Sequence, residues 1–194
     1  MKQVILATGN KGKIIEFQKA LASVGMEGIP LKEVADLEEP EETGETFLEN
    51  ALLKAHYYVE KLGKAVLTDD SGLSVDALGG APGVYSARYA GVHGDDEGNN
   101  QKLVEEMARY PEEERTAQYV CALAFVDAEG REVTAIGTCE GLIHLEPKGT
   151  NGFGYDPYFY VPAFEKTMAE LDLDVKNSIS HRGKALQILL DKLA

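Results

Sequence analysis

The chain has 194 residues, 44% of them hydrophobic and 27% charged, and a chain of that size can bury roughly 70% of its unfolded surface in a core without disulfide staples. Asp and Glu number 33 against 19 Lys and Arg, a net charge of -14. That balance excludes a nucleic-acid polymer or an anionic membrane as the main partner, because both require a basic face, whereas a small phosphorylated ligand needs only a few placed cations.

The chain opens with a predicted strand over residues 3–8, too short an apolar run for a signal peptide. After Gly9-Asn10, the spacing of Ile14, Phe17, Leu21 and Val24 predicts a helix with Gly25 as its C-cap. Residues 33–49 hold eight acids and no Lys or Arg, and Thr46 with Glu49 fits a capping box for a helix running to Leu62, with Gly63 past its end. A buried strand is expected over 65–68, ended by Asp69-Asp70-Ser71-Gly72, and a second short one over 73–75. The stretch Gly79-Gly80-Ala81-Pro82-Gly83 breaks both periodicities and reads as loop.

A helix is expected over 99–110, then a hairpin of residues 118–126 and 132–138 turning on Asp127-Ala128-Glu129-Gly130. Cys121 and Cys139 fall several residues apart on that hairpin, too far for a disulfide, and are expected as buried thiols of a cytoplasmic protein. A glycine-rich loop covers 148–156, and an amphipathic helix closes the chain over about 182–193. No stretch approaches the roughly 20 apolar residues that span a bilayer. With no repeat or linker, the expectation is one domain of mixed α/β type over residues 1–194.

Four constellations could carry chemistry. Thr8-Gly9-Asn10-Lys11-Gly12-Lys13 lies where a strand turns into a helix, a natural anion site. It is no Walker A loop, since Ala7 and Ile14 stand where that motif needs Gly and Ser or Thr. A plain turn with solvated lysines is the alternative. Asp69-Asp70-Ser71 places two carboxylates where α/β folds put their sites, suited to Mg²⁺ or to accepting a proton from water, and equally to a polar turn. Phe153 with Asp156 in a glycine-rich loop suits stacking on a base beside a hydrogen-bonding carboxylate, or an aromatic loop anchor. Ser180-His181-Arg182, with Lys176 four residues before Ser180, offers donors for carbonyls or phosphates, while Ser180 could simply cap the last helix. On the residues alone, a Mg²⁺-assisted enzyme acting on a phosphorylated compound is the best reading.

These segments also resemble the inosine triphosphate pyrophosphatase family. The matching pieces are Thr8-Gly9-Asn10 with Lys13, Glu42-Thr43-Gly44, Thr46-Phe47 with Asn50-Ala51 and Lys54-Ala55, and Asp69-Asp70-Ser71-Gly72-Leu73. They continue with Gly83 and Ser86-Ala87-Arg88-Tyr89, then residues 152–157, and Lys176 through Ser180-His181-Arg182. Seven pieces run in family order over nearly the whole chain.

The resemblance implies a homodimer with an elongated, two-lobed α/β fold: a mixed, strongly twisted sheet flanked by helices, with the ligand in a cleft between lobes. It implies Mg²⁺-dependent cleavage between the α- and β-phosphates of deaminated purine nucleoside triphosphates such as ITP, dITP and XTP. By motif, Asp70 would bind Mg²⁺ and act as general base, with Glu42 and Asp69 as further carboxylates near the metal, although the base could be either Asp69 or Asp70. Thr8, Asn10, Lys13, Lys54 and Ser71 would hold the triphosphate and sugar, with Gly9, Lys11 and Gly12 in the same loop. Phe153 would stack on the base beside Gly154 and Tyr155, and Asp156, Lys176, His181 and Arg182 would line its hydrogen-bonding edge.

Overall fold

The computed structural model describes residues 1–194. Seven strands form one mixed sheet: β1 (Lys2–Leu6), β2 (Met26–Pro30), β3 (Ala65–Val75), β4 (Thr116–Val126), β5 (Glu132–Ile143), β6 (Phe159–Val161) and β7 (Lys166–Thr167), in the order β2-β1-β3-β4-β5-β6-β7. β1 pairs in parallel with both β2 and β3, while β6 pairs antiparallel with β5 and β7. The helices are α1 (Lys11–Ala22), α2 (Phe47–Leu62), α3 (Asp96–Met107), α4 (Leu173–Ile179) and α5 (His181–Leu193). None is long and apolar enough to cross a membrane.

The chain divides into two compact units, the first made of residues 1–70, 121–137 and 184–194, the second of 71–120 and 138–183. In the first, strand alternation sorts the core by face. Val4, Leu6, Leu67, Leu123 and Phe125 meet Phe17 and Leu21 of α1 and Leu186 and Leu189 of α5. The opposite faces carry Ala122, Ala124 and Val126 against Ala51 and Ala55 of α2, and Ile5 and Val66 against Tyr58. Small residues on both sides let α2 lie close to the sheet, and Thr68 Oγ1 donates to Ala51 O at 2.6 Å. The second unit has its own core of Leu73, Val75, Leu103, Met107, Tyr119, Ile143 and Phe159, among others.

Several expectations need correcting. Residues 65–75 form one continuous strand, so Asp69 and Asp70 lie within β3 rather than in a turn after it; ladder partners hold the backbone extended through two residues of poor strand propensity. Consecutive strand residues send their side chains to opposite faces, which separates the two carboxylates. α3 starts three residues early because Asp95 accepts from Gly98 N and caps it, despite the glycine in its first turn. β2, α4, β6 and β7 carry too little periodicity to be foreseen, and β5 continues to Ile143. The Thr46 cap on Glu49 N is present, but Glu49 reaches back to Glu45 N instead of Thr46 N. Both cysteines are buried and form no disulfide.

Candidate active site

The first unit gathers cations and carboxylates around the ends of β1 and α1 and the middle of β3. Asn10 caps α1 by accepting from Lys13 N at 3.1 Å, and its own N–H donates to Thr8 Oγ1 at 3.2 Å. This local bracing shapes residues 8–13 into the strand-to-helix junction expected from the sequence; Gly9, Asn10, Lys11 and Gly12 are exposed. Lys13 leaves that loop to pair with the buried Asp69, Nζ to Oδ2 at 2.7 Å. From α2, Lys54 Nζ donates to the Asp69 carbonyl at 2.6 Å and sits 3.1 Å from Glu42 Oε1.

Glu42 is brought in by the turn at Thr43-Gly44. Gly44 N donates to the buried Asn50 Oδ1 at 2.7 Å, and a Cβ on Gly44 would lie 2.6 Å from that oxygen. Only glycine allows this approach.

Asp70 stands apart from its neighbours. Its Oδ2 is buried with no hydrogen-bond partner, and so is the Nδ2 of Asn50. Burial raises its carboxyl from the ordinary 3.8 to about 6; Lys54 opposes the rise, Glu42 adds to it, Asn50 opposes it and Asp69 adds a little. No three His, Cys, Asp or Glu side chains are drawn together closely enough to enclose a metal, because the lysines hold Glu42 and Asp69. Ser71 follows Asp70 in β3 and is partly exposed.

The second unit carries a separate cluster. Phe153 is 69% exposed, with Lys176 Nζ 5.0 Å from its ring centroid. Asp156 is buried and receives three donors: Lys176 Nζ at 2.7 Å, Tyr119 Oη at 2.8 Å and Phe153 N at 3.2 Å. A Cβ on Gly152, whose φ is +73°, would fall onto the Asp156 carboxylate, so glycine is needed both for the turn and for the space. The rings of His181 and Tyr119 stack at 5.1 Å and 19°. Arg182 is partly exposed on the first turn of α5, and Ser180 caps that helix by accepting from Gly183 N at 3.0 Å.

The loop that presents Phe153 is pinned by Ser86 and by two residues the sequence did not single out, Asp96 and Asn100. Gly154 N donates to Asp96 Oδ2 at 3.0 Å, Asn100 Nδ2 donates to Gly154 O at 2.9 Å, and Tyr155 Oη donates to Ser86 O at 2.6 Å. Asp96 and Asn100 sit four apart on α3, and that i, i+4 spacing was the available signal. The structure therefore collects Lys13, Glu42, Lys54, Asp69 and Asp70 in one unit and Phe153, Asp156, Lys176 and His181 in the other. A cavity of about 690 Å³, lined by Asp76, Thr116, Gln118, Glu140 and Pro162 among others, includes none of them.

The Ham1 family model matches residues 4–192. The dITP/XTP pyrophosphatase of Desulforamulus reducens is 50% identical over 98% of this chain and 95% of its own length, and that of Bacillus cereus is 50% identical over 100% and 95%. The structure of the Staphylococcus aureus Ham1 protein superposes with a TM-score of 0.92 at 42% identity, covering 99% of this chain and 98% of that one. With the family model, the identity over the full length and the fold all matching, this chain belongs to the Ham1 family.

Proposed function

We propose that the chain hydrolyses deaminated purine nucleoside triphosphates (ITP, dITP and XTP) to the nucleoside monophosphate and pyrophosphate. The observation that carries this reading is 50% identity, over essentially the whole chain, to proteins named for the reaction. The two clusters fit its chemical demands. Lys13, Lys54 and the loop of Thr8, Gly9, Asn10, Lys11 and Gly12 would hold the triphosphate, with Ser71 beside them. Phe153, Gly154 and Tyr155 would form the stacking side for the base, and Lys176, His181 and Arg182 would face its keto edge, with Asp156 holding Lys176.

Asp70 is the residue suited to take the proton. A carboxyl near 6 is ionised at neutral pH yet basic enough to accept a proton from water. Water adds to the α-phosphorus, the bond from that phosphorus to the bridging oxygen breaks, and pyrophosphate leaves. The buried Oδ2 of Asp70 is a hard anionic oxygen without a hydrogen-bond partner, so this position fits a divalent cation. Mg²⁺ held by Asp70, with Glu42 and Asp69 nearby, would supply neutralising charge for the phosphoryl oxygens. Lys13 and Lys54, now engaged with those carboxylates, would turn toward phosphate when the cation and substrate arrive.

Selectivity follows from donors facing the base. A site whose donors pair with a 6-keto oxygen leaves them unpaired against the 6-amino group of adenine, a mismatch that can discriminate by about 10⁴-fold. The same reading takes residues 1–194 as one nucleotide pyrophosphatase domain, a homodimer, and a cytoplasmic protein in keeping with two cysteines that form no disulfide. Incubation with Mg²⁺ and ITP, XTP, GTP or ATP tests it: inosine monophosphate plus pyrophosphate supports the reading. Orthophosphate release would indicate a general triphosphatase, and binding without turnover a regulatory module.

A further inference from the structure

Tyr119 lies in β4, where strand alternation makes it look like an ordinary core residue, and it is indeed 8% exposed. A phenylalanine would satisfy the packing there. Its ring tilts on Phe159 at 4.4 Å between centroids and 31°, and it stacks on His181 at 5.1 Å and 19°. The hydroxyl is not needed for either contact. It donates instead to Asp156 Oδ1 at 2.8 Å.

Asp156 spends its other oxygen on Lys176 Nζ and Phe153 N. One phenol therefore reaches two of the residues assigned to the base, His181 through its ring and Asp156 through its hydroxyl. It reaches two more, Lys176 and Phe153, through the second oxygen of the same carboxylate. Burial and the adjacent Asp156 charge hold the Tyr119 phenol well above its ordinary value, so the group stays a donor. A hydrogen bond from a neutral donor to a buried carboxylate is among the stronger ones, and losing it lets the carboxylate turn.

Resting on the reading above, we propose that Tyr119 is a positioning residue for the base subsite, fixing Asp156, and with it Lys176 and Phe153, while its ring sets the plane of His181. The two functions of the side chain are separable by substitution. Tyr119→Phe keeps the stack and removes the donor; Tyr119→Leu removes both.

The test is steady-state kinetics of the full chain with Mg²⁺ and ITP or ATP, together with a thermal melt. Tyr119→Phe is expected to raise KM for ITP about tenfold with kcat held near wild type, and to narrow the ITP-over-ATP ratio of kcat/KM. Tyr119→Leu is expected to lose more of both. A purely structural tyrosine would lower the amount of active protein, and so kcat, while leaving KM and the ITP-over-ATP ratio where they were. Wild-type KM and selectivity in Tyr119→Phe would overturn the positioning role alone. Wild-type protein without ITP turnover would overturn the pyrophosphatase reading and this role with it.

Discussion

Replacing Asp70 by Asn removes a charge that the fold holds at a cost. The rise of its carboxyl from 3.8 to about 6, at 1.36 kcal/mol per pH unit, means that ionised Asp70 opposes folding by about 3 kcal/mol at neutral pH. The amide that replaces it is itself buried and polar, which returns about 1 kcal/mol. Asp70→Asn is thus expected to be more stable than wild type by about 2 kcal/mol at pH 7.5 in EDTA, a Tm gain of about 4–8 °C for a chain of this size. The sign of the pH dependence follows from the raised folded-state value. Protonation favours the folded state fully below about 4, and that benefit is lost as pH rises through about 6, so the gap between variant and wild type opens over that window. Adding Mg²⁺ should stabilise wild type by mass action and leave the variant unmoved, and turnover of ITP should vanish in the variant. Urea melts at pH 4.5 and 7.5, with EDTA or Mg²⁺, measure all of this. A variant less stable than wild type at pH 7.5 in EDTA, or a gap independent of pH, would refute the argument from burial.

Arg182→Ala should narrow the preference for ITP over ATP, measured as the ratio of kcat/KM, because a donor to the 6-keto oxygen is lost; an unchanged ratio would exclude that role. Asn100→Ala removes the bond from Asn100 Nδ2 to Gly154 O and should raise KM for ITP by about two- to tenfold, the worth of one neutral hydrogen bond, with kcat read in the same assay to show that the chemical step is intact. Leu123→Ala, at a fully buried position, should cost about 2–5 kcal/mol in chemical denaturation, whereas Ile136→Ala on the exposed side of β5, 47% accessible, should stay within about 0.5 kcal/mol.

The parts of the fold with strong local signals were legible in the sequence. Asn10 and Thr46 cap the helices they were expected to begin, Gly63 closes α2 in the left-handed conformation, and the Asp127–Gly130 turn joins β4 to β5. What could not be read depends on partners distant in sequence. β6 and β7 have three and two residues, too few for a period, and exist because they add to the edge of a sheet already built. α4 has seven residues, so Lys176 could be singled out in the sequence but not the helix that carries it. The site residues followed the same division. Thr8 through Lys13 is contiguous and self-braced, so its shape was local, whereas Tyr119 reaches Asp156 across 37 positions, and nothing in the pattern of a strand distinguishes a tyrosine that positions a carboxylate from one that fills a core.

The neighbouring carboxylates Asp69 and Asp70 are indistinguishable as letters, and the strand makes them opposites. Asp69 is buried and bound by Lys13, with its backbone oxygen taken by Lys54. Asp70 is partly buried, with one oxygen buried and without a hydrogen-bond partner, and burial and Glu42 raise its carboxyl while Lys54 opposes the rise. Two consecutive strand residues in such different surroundings are an arrangement by which one backbone segment can divide an ion-pairing task from a proton-accepting one. The division depends on β3 continuing straight through both residues: a turn at Asp69-Asp70 would let both carboxylates face the same lysines, and the two side chains would no longer have separate surroundings.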